Sequence, residues 1–115
     1  MESMNNKPQD FLNDLIEQSK SLNEKSLSLT RCLLMALMKF NEDGIQFREL
    51  KTILNISDGK LKSNLDFLEE VNYIKKVQIQ LDQKKMHIYM LSKAGKNEIK
   101  KLVDWIQIFQ KVEEF

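Results

Sequence analysis

The sequence predicts a mainly α-helical domain carrying one small β-hairpin, an α+β fold. Three observations lead there. The 115 residues include only three glycines and one proline, too few turn formers for a loop-rich or all-β chain. Apolar residues recur at helical spacing over five separate stretches. Only between residues 73 and 91 does the period fall to two, the mark of paired strands.

Residues 1–8 read as a disordered N-terminus, with Pro8 placed to open a helix at its first position. Over 9–23, Phe11, Leu12, Leu15, Ile16 and Leu22 share one arc of an amphipathic helix. The polar stretch 23–26 interrupts it. A second helix is expected over 27–40, with Leu33, Leu34, Leu37 and Met38 on one side. Asn41-Glu42-Asp43-Gly44 is a turn, and Ile45 a short extended piece. Phe47, Leu50, Ile53 and Leu54, spaced by three and four, mark a short third helix over 47–54. Asn55-Ile56-Ser57 connects it to a fourth over 58–71, for which Ser57 is a suitable N-cap and Leu61, Leu65 and Leu68 the inner face. Asn72, tolerant of the left-handed conformation, ends it. Val77, Ile79 and Leu81 alternate with polar neighbours, and a second strand covers 85–91. Asp82-Gln83-Lys84 joins the two as a charged tip. A last helix starts near Ser92 and runs to about Val112.

Composition limits the function. Hydrophobic residues are 42% and charged residues 30%, the balance of an ordinary soluble domain. The N-terminus is polar and acid-bearing, unlike a signal peptide, and no apolar run approaches a membrane span. A soluble, cytoplasmic protein is the expectation. Cys32 has no partner for a disulfide and reads as a space filler. One histidine, His87, and one cysteine cannot build a metal site, and no cofactor motif occurs. No Ser-His-Asp set, Cys-His pair or Gly-rich phosphate loop is present, so an enzyme is not expected. The net charge is only +1, yet residues 58–101 hold ten lysines against six acids. That asymmetry suits one basic face, or equally a solvated Lys-rich surface.

A short helix, a three-residue turn and a longer polar-faced helix have the spacing of a helix-turn-helix over 47–71, and the hairpin over 73–91 adds a wing. FRELKTILNISDGKLKSNLDFLEEVNYIKKV (47–77) and YMLSKAGK (89–96) resemble the winged helix-turn-helix regulators of the MarR and ArsR type, most closely the small MarR-like ones of bacteria and archaea. Asn72 stands for their Gly and Ser92 for their Thr. Arg31 resembles the Arg that opens their first core helix. The resemblance implies a recognition helix, 58–71, in the major groove of double-stranded DNA. Its candidate contacts are Ser57, Asp58, Gly59, Lys60, Lys62 and Ser63, with Lys84 and Lys85 on the wing tip. Asp58 repels phosphate unless it reads a cytosine or supports the helix N-terminus. Where many relatives carry Asp-x-Arg, this chain has Asp82-Gln83-Lys84. Lys is more strongly hydrated than Arg, so backbone contact is expected of the wing rather than minor-groove reading.

In the last helix the apolar residues span an arc of roughly 220°, beyond the roughly 100° that one core requires. Phe11, Leu15, Trp105, Ile108, Phe109 and Val112 are therefore candidates for a homodimer interface built from flanking helices 9–23 and 96–112, with the alternative that these helices fold back on their own monomer. The expectation is a single winged helix domain over 9–115 that regulates transcription, as a repressor blocking promoter access. The other reading is a winged helix that binds protein without DNA, since the fold hosts both. A small-molecule effector is open; Trp105, Met35, Met38 and Phe40 could line its pocket.

Overall fold

Pro8 opens helix α1 (Pro8–Ser19) at its first turn, where a fixed φ and a missing N–H cost nothing. The computed structural model describes residues 7–115; most of the stretch expected to be disordered, 1–6, lies outside them. α1 stops four residues before the expected end because the N–H groups of Lys20, Ser21 and Leu22 turn to carbonyls three residues back. A 3-10 turn (Glu24–Leu27) precedes α2 (Leu29–Lys39). Ser28 sets the start of α2, its Oγ accepting from the Arg31 N–H at 3.2 Å.

Strand β1 (Ile45–Gln46) leads directly into α3 (Phe47–Leu54), which opens with a capping box between Gln46 and Glu49. Asn55, left-handed at φ 52°, turns the chain, and Ser57 caps α4 (Asp58–Glu70) by accepting from the Lys60 N–H at 3.1 Å. α4 ends as expected: Asn72 is left-handed at φ 65°, and the Tyr73 N–H closes back on the Leu68 carbonyl.

Strands β2 (Ile74–Leu81) and β3 (Lys84–Leu91) pair antiparallel from Ile74↔Leu91 to Leu81↔Lys84. Asp82 and Gln83, both at positive φ, form the tight turn between them. The connection is thus two residues, and Lys84 belongs to the strand. The extended piece at Ile45 pairs with Tyr89, giving a three-stranded sheet in the order β1-β3-β2. Helix α5 (Lys93–Phe109) is capped by Ser92, whose Oγ accepts from the Gly95 N–H at 3.0 Å and donates to the Asn72 carbonyl at 2.6 Å. It gives way to a 3-10 turn (Gln110–Glu114), three residues short of the expected end.

The chain divides into two compact units, residues 24–97 and the pair of segments 7–23 and 98–115. The first holds the helix-turn-helix and the sheet. Its core is Leu34, Met35 and Met38 from α2, Leu50 from α3, Leu61, Leu65 and Leu68 from α4, and Ile45, Ile74, Ile88, Tyr89 and Leu91 from the sheet. Two inward assignments are corrected. Leu33 is exposed while Met35 is sealed, because α2 is apolar nearly all round and its periodicity does not choose a face. Ile53 is 56% exposed, since the short α3 turns only Leu50 fully inward. Cys32 is half-buried rather than in the core.

In the second unit the Trp105 Nε1 donates to the Leu15 carbonyl at 3.1 Å. Glu98, only 1% exposed, accepts from the Asn23 N–H at 2.8 Å and pairs with Lys101 at 3.2 Å. Lys101 in turn donates to the Ser21 carbonyl at 3.0 Å. Phe11 meets Phe115, and Trp105 stacks on Phe109.

Candidate nucleic-acid interface

The surface that follows from these elements starts at the N-terminal half of α4. Leu61, Leu65 and Leu68 anchor one side of the helix in the core, so residues on the far side face solvent. Gly59 and Ser63 lie near the centre of that far side by helical periodicity. A Cβ placed on Gly59 would meet nothing within 4 Å, so the backbone there is open to close approach.

Lys60 and Lys62, two residues apart, are turned about 200° from each other on the helix and flank this centre on opposite sides. Among the described residues Lys60 has no ion pair, whereas Lys62 lies 2.8 Å from Asp66. The Asp66 carboxylate holds the Lys62 ammonium above its ordinary pKa, first by hydrogen bonding and then by charge. The pair is exposed on both sides, and such i,i+4 pairs are weak enough for a phosphate to displace. Asp58 is engaged rather than free: it pairs with Lys51 of α3 at 2.8 Å, across the turn of the helix-turn-helix. The exposed pair links the two helices and partly offsets the Asp58 charge towards a phosphate.

Further along, α4 changes sign. Asp66, Glu69 and Glu70 occupy its last turns, with Phe67 between them. Only the first half of the helix suits a polyanion. Arg31 holds this helix from α2: its Nε donates to Asn64 Oδ1 at 2.8 Å, its Nη1 to the Lys25 carbonyl, and its guanidinium lies over the Phe67 ring. A basic residue near α4 thus serves positioning.

The wing has two unlike faces. Cross-strand partners share a face, so Ile74, Lys76, Gln78, Gln80, Lys85, His87, Tyr89 and Leu91 lie on one side. Lys75, Val77, Ile79, Leu81, Lys84, Met86, Ile88 and Met90 lie on the other. The first side turns towards α4: Tyr89 feels the charges of Glu69, Asp66 and Lys62. Burial, then Glu69 and Asp66, push the Tyr89 hydroxyl above its ordinary pKa. Beyond Tyr89 this same side carries exposed Lys76, Gln78, His87 and Lys85.

The two wing lysines singled out in the sequence, Lys84 and Lys85, thus point to opposite faces, and Lys85 shares the side of α4. Lys76 and Gln78 join it there. Counting alternation outward from Ile74 would have found them, had the register been known. Among the described residues, neither Lys76, Lys84 nor Lys85 has an ion pair.

Among the described residues no cluster of His, Cys, Asp and Glu could hold a metal ion, and no helix is long and apolar enough to cross a membrane. Of the residues considered for an effector pocket, Met35 and Met38 are closed into the core while Phe40 stands 85% exposed.

Comparison with known proteins bears on this surface. No curated protein matches the chain. Solved structures that share its fold include two of known ligand. One is a mutant of MepR from S. aureus bound to an oligodeoxyribonucleotide, at TM-score 0.63 and 12% identity, covering 92% of this chain and 72% of the other. The second is the heme sensor protein PefR from Streptococcus agalactiae in complex with heme, at TM-score 0.64 and 18% identity, covering 98% and 80%. At these identities the likeness concerns the fold alone. The profile of a family described as a winged helix DNA-binding domain matches residues 30–109, which include the helix-turn-helix, the wing and all of α5. The chain therefore belongs to the winged helix DNA-binding domain family.

Proposed function

We propose that the protein is a sequence-specific transcription regulator that works as a homodimer in the cytoplasm and represses by occupying promoter DNA. In this reading the first two turns of α4 enter the major groove, with Gly59 and Ser63 towards the base edges and Lys60 on a phosphate. The α4 side of the wing, through Lys76 and Lys85, rests on the adjoining backbone. The observation that carries the proposal is that Lys60 on α4 and Lys76 and Lys85 on the α4 side of the wing have no ion pair among the described residues, beside the open backbone at Gly59. The DNA-bound MepR structure is a precedent for this fold on a duplex.

Exposed apolar surface supports the dimer. In the unit formed by α1 and the end of α5, Leu12, Ile16, Val103, Ile106, Phe109 and Val112 are all exposed. Leu15 turns inward, and Phe11 and Trp105 are half-buried, so the exposed set is the one a second copy would cover. On α2, Leu29, Leu33 and Phe40 form another exposed stripe. Sedimentation of Val103→Asp/Ile106→Asp beside the wild type tests the pairing; a wild type that sediments as a monomer removes it.

DNA binding is tested by anisotropy titration of a labelled duplex at several salt concentrations. Lys60→Ala and Lys76→Ala/Lys85→Ala should each flatten the salt dependence, by about 0.9 in slope per lost phosphate contact. Wild type that fails to bind even at low salt would sink the proposal and favour a protein partner.

A further inference from the structure

At the base of the hairpin lies a cleft of about 560 Å³, bounded by the end of α2, the start of β2 and end of β3, and the first turn of α5. Four lysines line it: Lys39, Lys75, Lys93 and Lys96. They come from three separate elements, all four are exposed, and none forms an ion pair among the described residues. By contrast, Lys20, Lys51, Lys62, Lys100 and Lys101 each pair with a carboxylate, although Lys60, Lys76, Lys84 and Lys85 outside the cleft do not. Four like charges gathered around one concavity repel one another unless an anion joins them. Glu42 is the single acid in the lining and is not within ion-pair distance of any of the four.

We propose that this cleft is an anion site that takes a cluster of phosphate groups through Lys39, Lys75, Lys93 and Lys96. Lysine ammoniums, as compact point charges with rotatable donors, suit phosphate oxygens without demanding a planar fork. The positive end of α5, where Lys93 and Lys96 sit in the first turn, adds to the attraction. Met90 and Leu91 add apolar lining to the cleft, which fits a phosphorylated molecule with an uncharged body as well as bare phosphates. The site is separate from the surface around Gly59, because Lys75 and Met90 lie on the other face of the sheet from Lys76 and Tyr89.

The test is calorimetric titration of the full chain with sodium tripolyphosphate. Wild type should bind one equivalent per chain. Lys75→Gln/Lys93→Gln/Lys96→Gln should weaken binding on the order of tenfold, as the summed loss of three exposed charge contacts predicts. Lys20→Gln/Lys100→Gln/Lys111→Gln, with the same charge removed at exposed positions away from the cleft, should bind as wild type does. No binding by wild type, or equal losses in the two variants, would overturn the site. Acetylation of wild type, read by mass spectrometry, gives the answer without substitution: tripolyphosphate should protect Lys75, Lys93 and Lys96, and no protection counts against the site.

The source of the phosphates is read on DNA. If the cleft variant lowers the salt slope for a duplex, the ligand is flanking DNA backbone; if the slope is unchanged, it is a free phosphorylated molecule. Both outcomes keep the site, and neither depends on the fate of the Lys60 experiment.

Discussion

The Arg31 guanidinium lies 3.9 Å from the centre of the Phe67 ring. With its hydrogen bonds to Asn64 and to the Lys25 carbonyl, it joins the start of α2 and the 3-10 turn to the middle of α4. A planar cation stacks on the ring and still spends its in-plane donors on both oxygens; an ammonium does less of either. Arg31→Ala should therefore lower unfolding free energy by about 1–3 kcal/mol in urea denaturation. Arg31→Lys should recover only part of that. Unchanged stability in both would show that Arg31 does not position α4.

Gly59 and Gly95 make opposite demands. A Cβ on Gly95 would run into the Tyr73 carbonyl and come within 2.6 Å of Leu91 Cδ1. Backbone cannot yield as a side-chain tip does, so Gly95→Ala should cost about 1–3 kcal/mol. Gly59 has open space and sits in a helix, so Gly59→Ala should stabilise by about 0.5–1 kcal/mol. Thermal melts decide both signs. In the proposed DNA complex the added methyl obstructs close approach, so the more stable Gly59→Ala should bind duplex less tightly.

Asp66 restrains Lys62 and adds a negative charge to α4. Asp66→Asn removes both effects. Duplex affinity at low salt should rise about fivefold, the worth of roughly 1 kcal/mol of Coulomb energy near a solvated surface. Anisotropy titration checks it, and an affinity that falls would place Lys62 away from DNA.

Burial raises the pKa of the Tyr89 hydroxyl above its ordinary 10.0 and that of the Cys32 thiol above its ordinary 9.0. For both groups the folded chain holds the proton more tightly than the unfolded chain does. Their contribution to stability is whole below the ordinary values and is lost as pH rises through the raised ones. Unfolding free energy should thus decline as pH climbs past about 9, and Tyr89→Phe/Cys32→Ser should flatten the decline. A double variant with the same alkaline slope as wild type would assign the loss to other groups. At neutral pH Cys32 should also react slowly with iodoacetamide, since little thiolate forms.

Local signals carry much of this fold. Ser57 and Asn72 mark the two ends of α4 because a cap oxygen and a left-handed residue act within one turn of chain. Leu61, Leu65 and Leu68 identify its inner face since that helix is polar elsewhere. The lysines of the helix and wing were legible as candidates for the same reason: type and spacing are local properties.

What needed the tertiary structure was every choice between equivalent alternatives. α2, apolar nearly all round, seals Met35 and exposes Leu33 only because of what packs on it. The two-residue turn at Asp82-Gln83 sets the strand register, and a shift of one residue would exchange the faces of the wing. That register places Lys85 and Lys76 on the sheet face of Tyr89 and sends Lys84 and Lys75 to the opposite face. Ion pairing across elements, Asp58 with Lys51, and the meeting of Lys39, Lys75, Lys93 and Lys96 at one cleft depend on contacts between distant segments. Composition and periodicity state which charges exist; only packing states which of them are neutralised and which stay open to a phosphate.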